Sequence, residues 1–289
     1  MRSALLLTVA TALMIAAGPS ASRAGNGSST NRLDDAWVER ALAHPERDQG
    51  WSQSSDSWND GRVVACVVRE FDYPRAKGPI AIDGGQNSGM TVMGSDRDDV
   101  RILYRVMARA RTEEQARGLA ARIQLELNDG VLEPVGPDES PKNEWWTVDV
   151  KVWVPRATDL ELRTLNGPIG VRDVHGTMKL KTSNGPMSLE DLGGDVQARL
   201  QNGPLHVVLS GPRWKGDGLD AEALNGPLSL MLPADYSARL TTGTLSGPRT
   251  FDYAIDSHRR RGWITTALGR GGPPVRVVTN NGPFSISER

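Results

Sequence analysis

The sequence predicts an all-β chain: a right-handed parallel β-helix or β-solenoid-like repeat, with one short helix in its N-terminal part. Three observations predict it. The tripeptide Asn-Gly-Pro recurs at Asn166, Asn184, Asn202, Asn225 and Asn281, and Ser246-Gly247-Pro248 is a variant of the same unit. An apolar-x-apolar pair follows each early copy, as in Ile169/Val171, Met187/Leu189, Leu205/Val207 and Leu228/Leu230. The first spacings are 18 and 18 residues (166 to 184 to 202), then 23, 21 and 35. A period near 20 residues is the mark of stacked repeats that bury their apolar faces only against one another.

The chain begins with an address. Arg2 precedes the uncharged apolar stretch Ala4–Ala17, Gly18 and Pro19 break it, and small residues run to Ala24. Fourteen apolar residues fall short of the roughly 20 that span a bilayer, so 1–24 reads as a secretory signal peptide. The protein is expected to be exported, to the periplasm or to the cell surface or beyond, with no transmembrane segment in the mature chain. The whole sequence of 289 residues carries 34 Lys+Arg and 35 Asp+Glu. Removing Arg2 and Arg23 leaves 32 against 35, a net charge of −3, which gives no basic field for nucleic acid. Cys66 is the only cysteine, so no internal disulfide and no multi-cysteine zinc site is possible. Its apolar neighbours Val63–Val68 point to a buried strand.

Residues 25–60 are polar and carry Trp37, Trp51 and Trp58; they read as a tail or linker, the tryptophans serving as anchors in the other reading. Residues 61–150 form a β-rich N-terminal part. Short strands are expected near Ile80–Ile82 and Met90–Met93. Val100–Ala110 alternates with period two, and Arg101, Arg105 and Arg109 line its other face as a solvated strand face or an anion-binding row. Thr112 followed by Gln115 fits a capping box, Glu113 and Glu114 suit a helix N-terminus, and Ala116, Leu119, Ala120 and Ile123 give one apolar stripe, so a helix is expected over 112–123. A polar loop is expected at 128–142, and alternation returns over Val148–Val154.

Residues 151–289 form the repeat region. Asparagine and glycine tolerate positive φ and make tight corners, and proline is tolerated at the first position of a strand. Stacked coils would lie about 4.8 Å apart, with the asparagines of one corner exchanging amide hydrogen bonds. The predicted corner residues are Asn166-Gly167, Asn184-Gly185, Asn202-Gly203, Asn225-Gly226, Gly247 and Asn281-Gly282. The stretch Pro155…Leu160-x-Leu162-x-Thr164 partly recurs as Pro233…Ala238-x-Leu240-x-Thr242. Arg213–Asp220 and a second stretch holding His258–Arg261 read as loops inserted into coils. A β-sandwich with Asn-Gly hairpins is the competing architecture.

The pattern Thr-x-Asn-Gly, at Thr164-Leu165-Asn166-Gly167, Thr182-Ser183-Asn184-Gly185 and Thr279-Asn280-Asn281-Gly282, resembles the bacterial putative-adhesin domain family over about residues 61–289. That resemblance implies a β-helix-like fold, export and adhesion, with no catalytic residues to carry over. The proline after each Asn-Gly departs from the family pattern.

Catalytic motifs are sparse. Gly216-x-Gly218-x-x-Ala221 matches a dinucleotide fingerprint in letters only, lacking the preceding strand and following helix. Gly193-Gly194-Asp195 starts a calcium-repeat pattern that does not continue. The four histidines are scattered, so no metal site and no cofactor is expected. Asp173 and Asp191, 18 residues apart, should stack at one corner, where paired carboxylates can do acid/base work or form a solvated edge. The expected function is therefore a non-enzymatic adhesin or envelope interaction module, with a cell-surface or envelope protein or glycan as the candidate partner. The alternatives are a polysaccharide-acting β-helix enzyme using Asp173 and Asp191, or a periplasmic structural or sensing protein.

Overall fold

The computed structural model describes residues 61–74, 78–137, 144–255 and 262–289. The expected leader 1–24, the tryptophan-bearing segment 25–60 and the basic run His258–Arg261 lie outside them. The N-terminal part runs β1 (Val63–Phe71), β2 (Ile80–Asp83), β3 (Met90–Ser95), β4 (Arg101–Ala110), α1 (Glu113–Arg122), β5 (Gln124–Asn128), β6 (Val131–Val135) and β7 (Trp145–Pro155). The repeat region then gives rungs of two strands. They are β8 (Leu160–Asn166) with β9 (Ile169–Arg172), β10 (His175–Asn184) with β11 (Met187–Glu190), and β12 (Gly193–Asn202) with β13 (Leu205–Val208). Next come β14 (Gly218–Asn225) with β15 (Leu228–Leu232), β16 (Ala238–Ser246) with β17 (Arg249–Asp252), the single strand β18 (Ile264–Leu268), and β19 (Pro274–Asn281) with β20 (Phe284–Glu288).

These strands form two ten-stranded sheets. The first has the order β1-β4-β7-β3-β9-β11-β13-β15-β20-β17, the second β18-β16-β19-β14-β12-β10-β8-β2-β6-β5. Among the described residues the structure shows the all-β class with one helix. It does not show a wholly parallel helix: both sheets are mixed, and neither closes on itself. Parallel pairing holds through the rungs, whereas β1–β4, β4–β7, β5–β6 and β16–β18 pair antiparallel at the ends. The physical reason is the open edge of a parallel stack, which antiparallel strands can pair and terminate.

Alternation with period two builds the core. Leu160, Met178, Val196, Leu219, Val275 and Leu240 lie in register across the second sheet, each at most 2% exposed. Ile169, Met187, Leu205, Leu228 and Phe284 do the same across the first. Each such side chain stabilises by about 1.5–3 kcal/mol through burial. The strands flanking each Asn-Gly belong to different sheets, so the corners are not hairpins.

The helix behaves as its sequence asks. Thr112 Oγ1 accepts a hydrogen bond from the Gln115 N–H at 3.2 Å, and Ala116, Leu119 and Ala120 are buried. Arg69 of β1 donates to the carbonyls of Ile123 and Ala120 at the other end, at 2.7 and 3.2 Å, where a helix leaves carbonyls unpaired.

Three expectations are corrected, and the order of the rungs is a further finding. The loop expected at 128–142 begins as a hairpin: Asp129 (φ 50°) and Gly130 (φ 82°) form the two-residue turn between β5 and β6, a use that Asp-Gly favours. Arg105 and Arg109 are not a solvated face; they are 5% and 8% exposed, and Arg105 Nη2 lies 2.9 Å from Asp149 Oδ2. The recurrence of the Leu160 motif is offset by two residues, because the rung position of Leu160 is taken by Leu240 rather than Ala238. Finally, the rungs do not stack in chain order. The last one, β19 and β20, lies between β14/β15 and β16/β17.

Candidate functional site

The corner that the repeat predicts is one continuous edge. Asn184 Nδ2 donates to Asn166 Oδ1 (2.8 Å), Asn202 to Asn184 (2.9 Å), Asn225 to Asn202 (3.0 Å) and Asn281 to Asn225 (3.0 Å). Asn166 closes this row on the Gln86 carbonyl at 2.8 Å. Ser246 occupies the terminal place, opposite Asn281. The backbone ladder also runs through the corner. The N–H groups of Gly167, Gly185, Gly203, Gly226 and Gly282 donate to the carbonyls of Asn184, Asn202, Asn225, Asn281 and Ser246. The carbonyl of each next proline then accepts from the apolar residue of the neighbouring rung, as in Met187 N–H to Pro204 O at 2.9 Å. Proline thus serves as an acceptor here, and its fixed φ fits the entry to the strand.

The glycines are sterically required. Gly185 has φ 138°, and a Cβ there would stand 2.5 Å from the Gly167 carbonyl oxygen. Gly247 makes the same close approach to Gly282. The threonine of each Thr-x-Asn-Gly is buried and bonds across the stack: Thr182 Oγ1 donates to Gly167 O (3.1 Å) and Thr279 Oγ1 to Gly226 O (2.9 Å).

The opposite corner carries Asp173 and Asp191, at φ 57° and 53°. They hold equivalent places on adjacent rungs, following Arg172 and Glu190, which are in register. Each carboxylate has its own arginine. Asp173 Oδ1 lies 3.5 Å from Arg156 Nη1, while Asp191 receives Arg289 Nη1 at 2.5 Å and Nη2 at 3.1 Å. Arg172 also pairs with Glu190 at 2.8 Å. Partial burial pulls the Asp191 carboxyl upward, but hydrogen bonds from Arg289 and Ser210 and the charges of Arg289 and Arg172 outweigh it. Its pKa lies below the usual carboxylate range, so it stays ionised at neutral pH and is a poor proton donor.

The outer surfaces differ. On the first sheet, Pro204, Pro227, Pro283 and Pro248 flank a shallow groove of about 320 Å³ that His206 and Ser229 also line. On the second sheet, charges dominate. Arg276 bridges Asp220 (2.6 Å) and Glu222 (2.8 Å) and stacks 4.6 Å from the centre of the Trp263 ring. The residues-only reading missed these ion pairs, although the 18-residue register applied to outward positions brings some of them into view. Among the described residues no group of His, Cys, Asp and Glu is placed to hold a metal ion, and no helix is long and apolar enough to cross a membrane.

No family model matches the chain, and no curated protein matches it. Among solved structures it is similar to a putative cell adhesion protein from Clostridium sporogenes, at 10% identity and a TM-score of 0.40, over 78% of this chain and all of that one. It is similar to a putative adhesin from Parabacteroides distasonis, at 11% identity and a TM-score of 0.34, over 78% of this chain and 97% of that one. A putative lipid binding protein from the same organism is similar at 11% identity and a TM-score of 0.35, over 78% of this chain and 96% of that one.

Proposed function

We propose that this chain is an exported, non-enzymatic interaction protein of the adhesin-like kind, whose stacked rungs form a rigid β-solenoid that presents regular outer faces to an envelope or cell-surface partner. The observation that carries this reading is the register. Six rungs hold their outward side chains in rows one strand spacing apart, on a backbone locked by glycine-to-glycine contact at one corner. Such a surface is preorganised, which lowers the ordering cost of binding. The carboxylates that an enzyme would need, Asp173 and Asp191, are instead engaged by Arg156 and Arg289.

The test compares protease accessibility on intact and lysed native cells. It is joined to N-terminal sequencing of the exported protein and to a reducing-end assay on a panel of glycans. The reading expects a mature N-terminus near residue 22 or 25 and no glycan cleavage. Digestion on intact cells assigns a surface partner, and protection until lysis a periplasmic one. Cleavage of a glycan that is lost in Asp191→Asn refutes the reading.

A further inference from the structure

The outer face of the second sheet carries a row of like charges. The register sets Lys181 of β10 directly opposite Arg163 of β8 on one side and Arg199 of β12 on the other. Strands lie about 4.8 Å apart, so three cations occupy successive rungs, with Lys179 two residues along β10 on the same face. Like charges placed directly opposite one another destabilise a sheet. The two arginines turn outward from the row. Arg163 Nη2 reaches Asp83 Oδ2 at 2.6 Å, and Arg199 Nη2 reaches Asp220 Oδ2 at 2.5 Å. Lys181 is left in the middle, its two register neighbours both cationic. Lys179 stands between Glu161 and Gln197. Further along the same face opposite charges meet, Arg276 of β19 pairing with Asp220 and Glu222 of β14, so the fold does not itself require a cation at residue 181.

We propose that Arg163, Lys179, Lys181 and Arg199 form a binding site for an acidic polysaccharide, whose carboxylate or sulfate groups supply the charge the row lacks. The proposal rests on the interaction reading above and names its partner class. Charge complementarity sets the sign of the ligand. The acids on both flanks, Asp83 and Glu161 on one side and Asp220 on the other, confine that ligand to a narrow strip and disfavour a broad anionic surface. Gln197 and Ser183, exposed or half-buried beside the lysines, can hydrogen-bond sugar hydroxyls. The row holds no aromatic side chain of the kind on which nucleic-acid bases stack.

The experiment measures retention of the full chain on immobilised polygalacturonate, dextran sulfate and uncharged dextran across a salt gradient, with Lys181→Glu as the variant. The wild type should be held by at least one acidic matrix and not by dextran, the better matrix telling carboxylate from sulfate. Lys181→Glu should weaken that binding about tenfold or more, the size of one charge-assisted hydrogen bond. The same variant should keep or raise the melting temperature at low salt, because it replaces a repulsion by two attractions. Three results overturn the proposal: equal retention of wild type and variant, no retention of the wild type above dextran, or equally tight binding of single-stranded DNA. None of them bears on export or on the absence of glycan cleavage, so the broader reading fails separately.

Discussion

Replacing Gly185 by alanine should damage this protein more than replacing Asn184, although the asparagine makes the more visible contacts. Gly185 has φ 138°, a conformation open in practice only to glycine, and holding an alanine there costs about 1–3 kcal/mol. The added methyl would stand 2.5 Å from the Gly167 carbonyl oxygen and 2.6 Å from its carbon. Those atoms belong to a corner whose N–H is itself bonded to Asn184 O at 2.7 Å, so they yield only by moving the next rung. Overpacking of this kind adds about 1–3 kcal/mol. The smaller freedom of unfolded alanine returns about 0.4–1 kcal/mol. The net loss is about 1–5 kcal/mol. Asn184 makes two ladder bonds, at 2.8 and 2.9 Å, but its side chain is exposed. Water can replace those partners, so Asn184→Ala should cost about 1 kcal/mol or less. Urea denaturation of both variants decides the matter, read as a midpoint shift at unchanged slope. A Gly185→Ala midpoint at or above that of Asn184→Ala refutes the steric account of the corner.

Three further outcomes are expected. Deleting 270–289 removes the rung that joins β16 and β17 to the rest, so Ala238–Asp252 should become sensitive to trypsin at Arg239 and Arg249 although it is retained; protection of that stretch would show rungs stacked in chain order. Asp149→Ala should cost about 3 kcal/mol, because it removes the carboxylate that pairs with Arg105 at a site where the two side chains are 4% and 6% exposed, and a midpoint shift under 1 kcal/mol would count against it. Asp191 has a folded pKa below its unfolded value, so its pairing with Arg289 contributes stability above the unfolded carboxyl range, near pH 3.9, and loses it as pH falls through the lower folded pKa. Asp191→Asn should therefore be less stable than wild type at pH 7 by at most about 1 kcal/mol, given the solvent around Arg289, and the difference should vanish in acid; a gap that widens in acid reverses the sign argument.

Much of this architecture is local and was open to reading residue by residue. Period-two alternation names the inward rows, Thr112 and Gln115 mark the helix start, and the Asn-Gly-Pro spacing marks the corners. Those signals work because each depends on groups within a few residues or on a repeat of fixed length. What failed depended on distance or on ends. The Asp129-Gly130 hairpin is hidden in a polar run, and the partners of Asp191 and Asp149 lie 98 and 44 residues away.

The order of the last rungs is the clearest division between the two sources. Sequence alone determined that residues 238–252 and 274–288 are rungs, because both carry the alternation and the Gly-Pro corner. It could not order them, because apolar inward rows are interchangeable and either rung can pair with β14. Tertiary structure decided by what each rung tolerates on an open side. The rung of β16 and β17 has Ser246 in place of asparagine and Arg249 opposite the inward Phe284. Arg249 satisfies itself on the carbonyls of Thr244 and Gly262 at 2.6 and 2.7 Å. A charged side chain at an inward position is costly between two apolar rungs and tolerable at the end of the stack. The rung bearing Val275, Val277, Phe284 and Ile286, each at most 1% exposed, therefore takes the interior place, though it comes last in the chain.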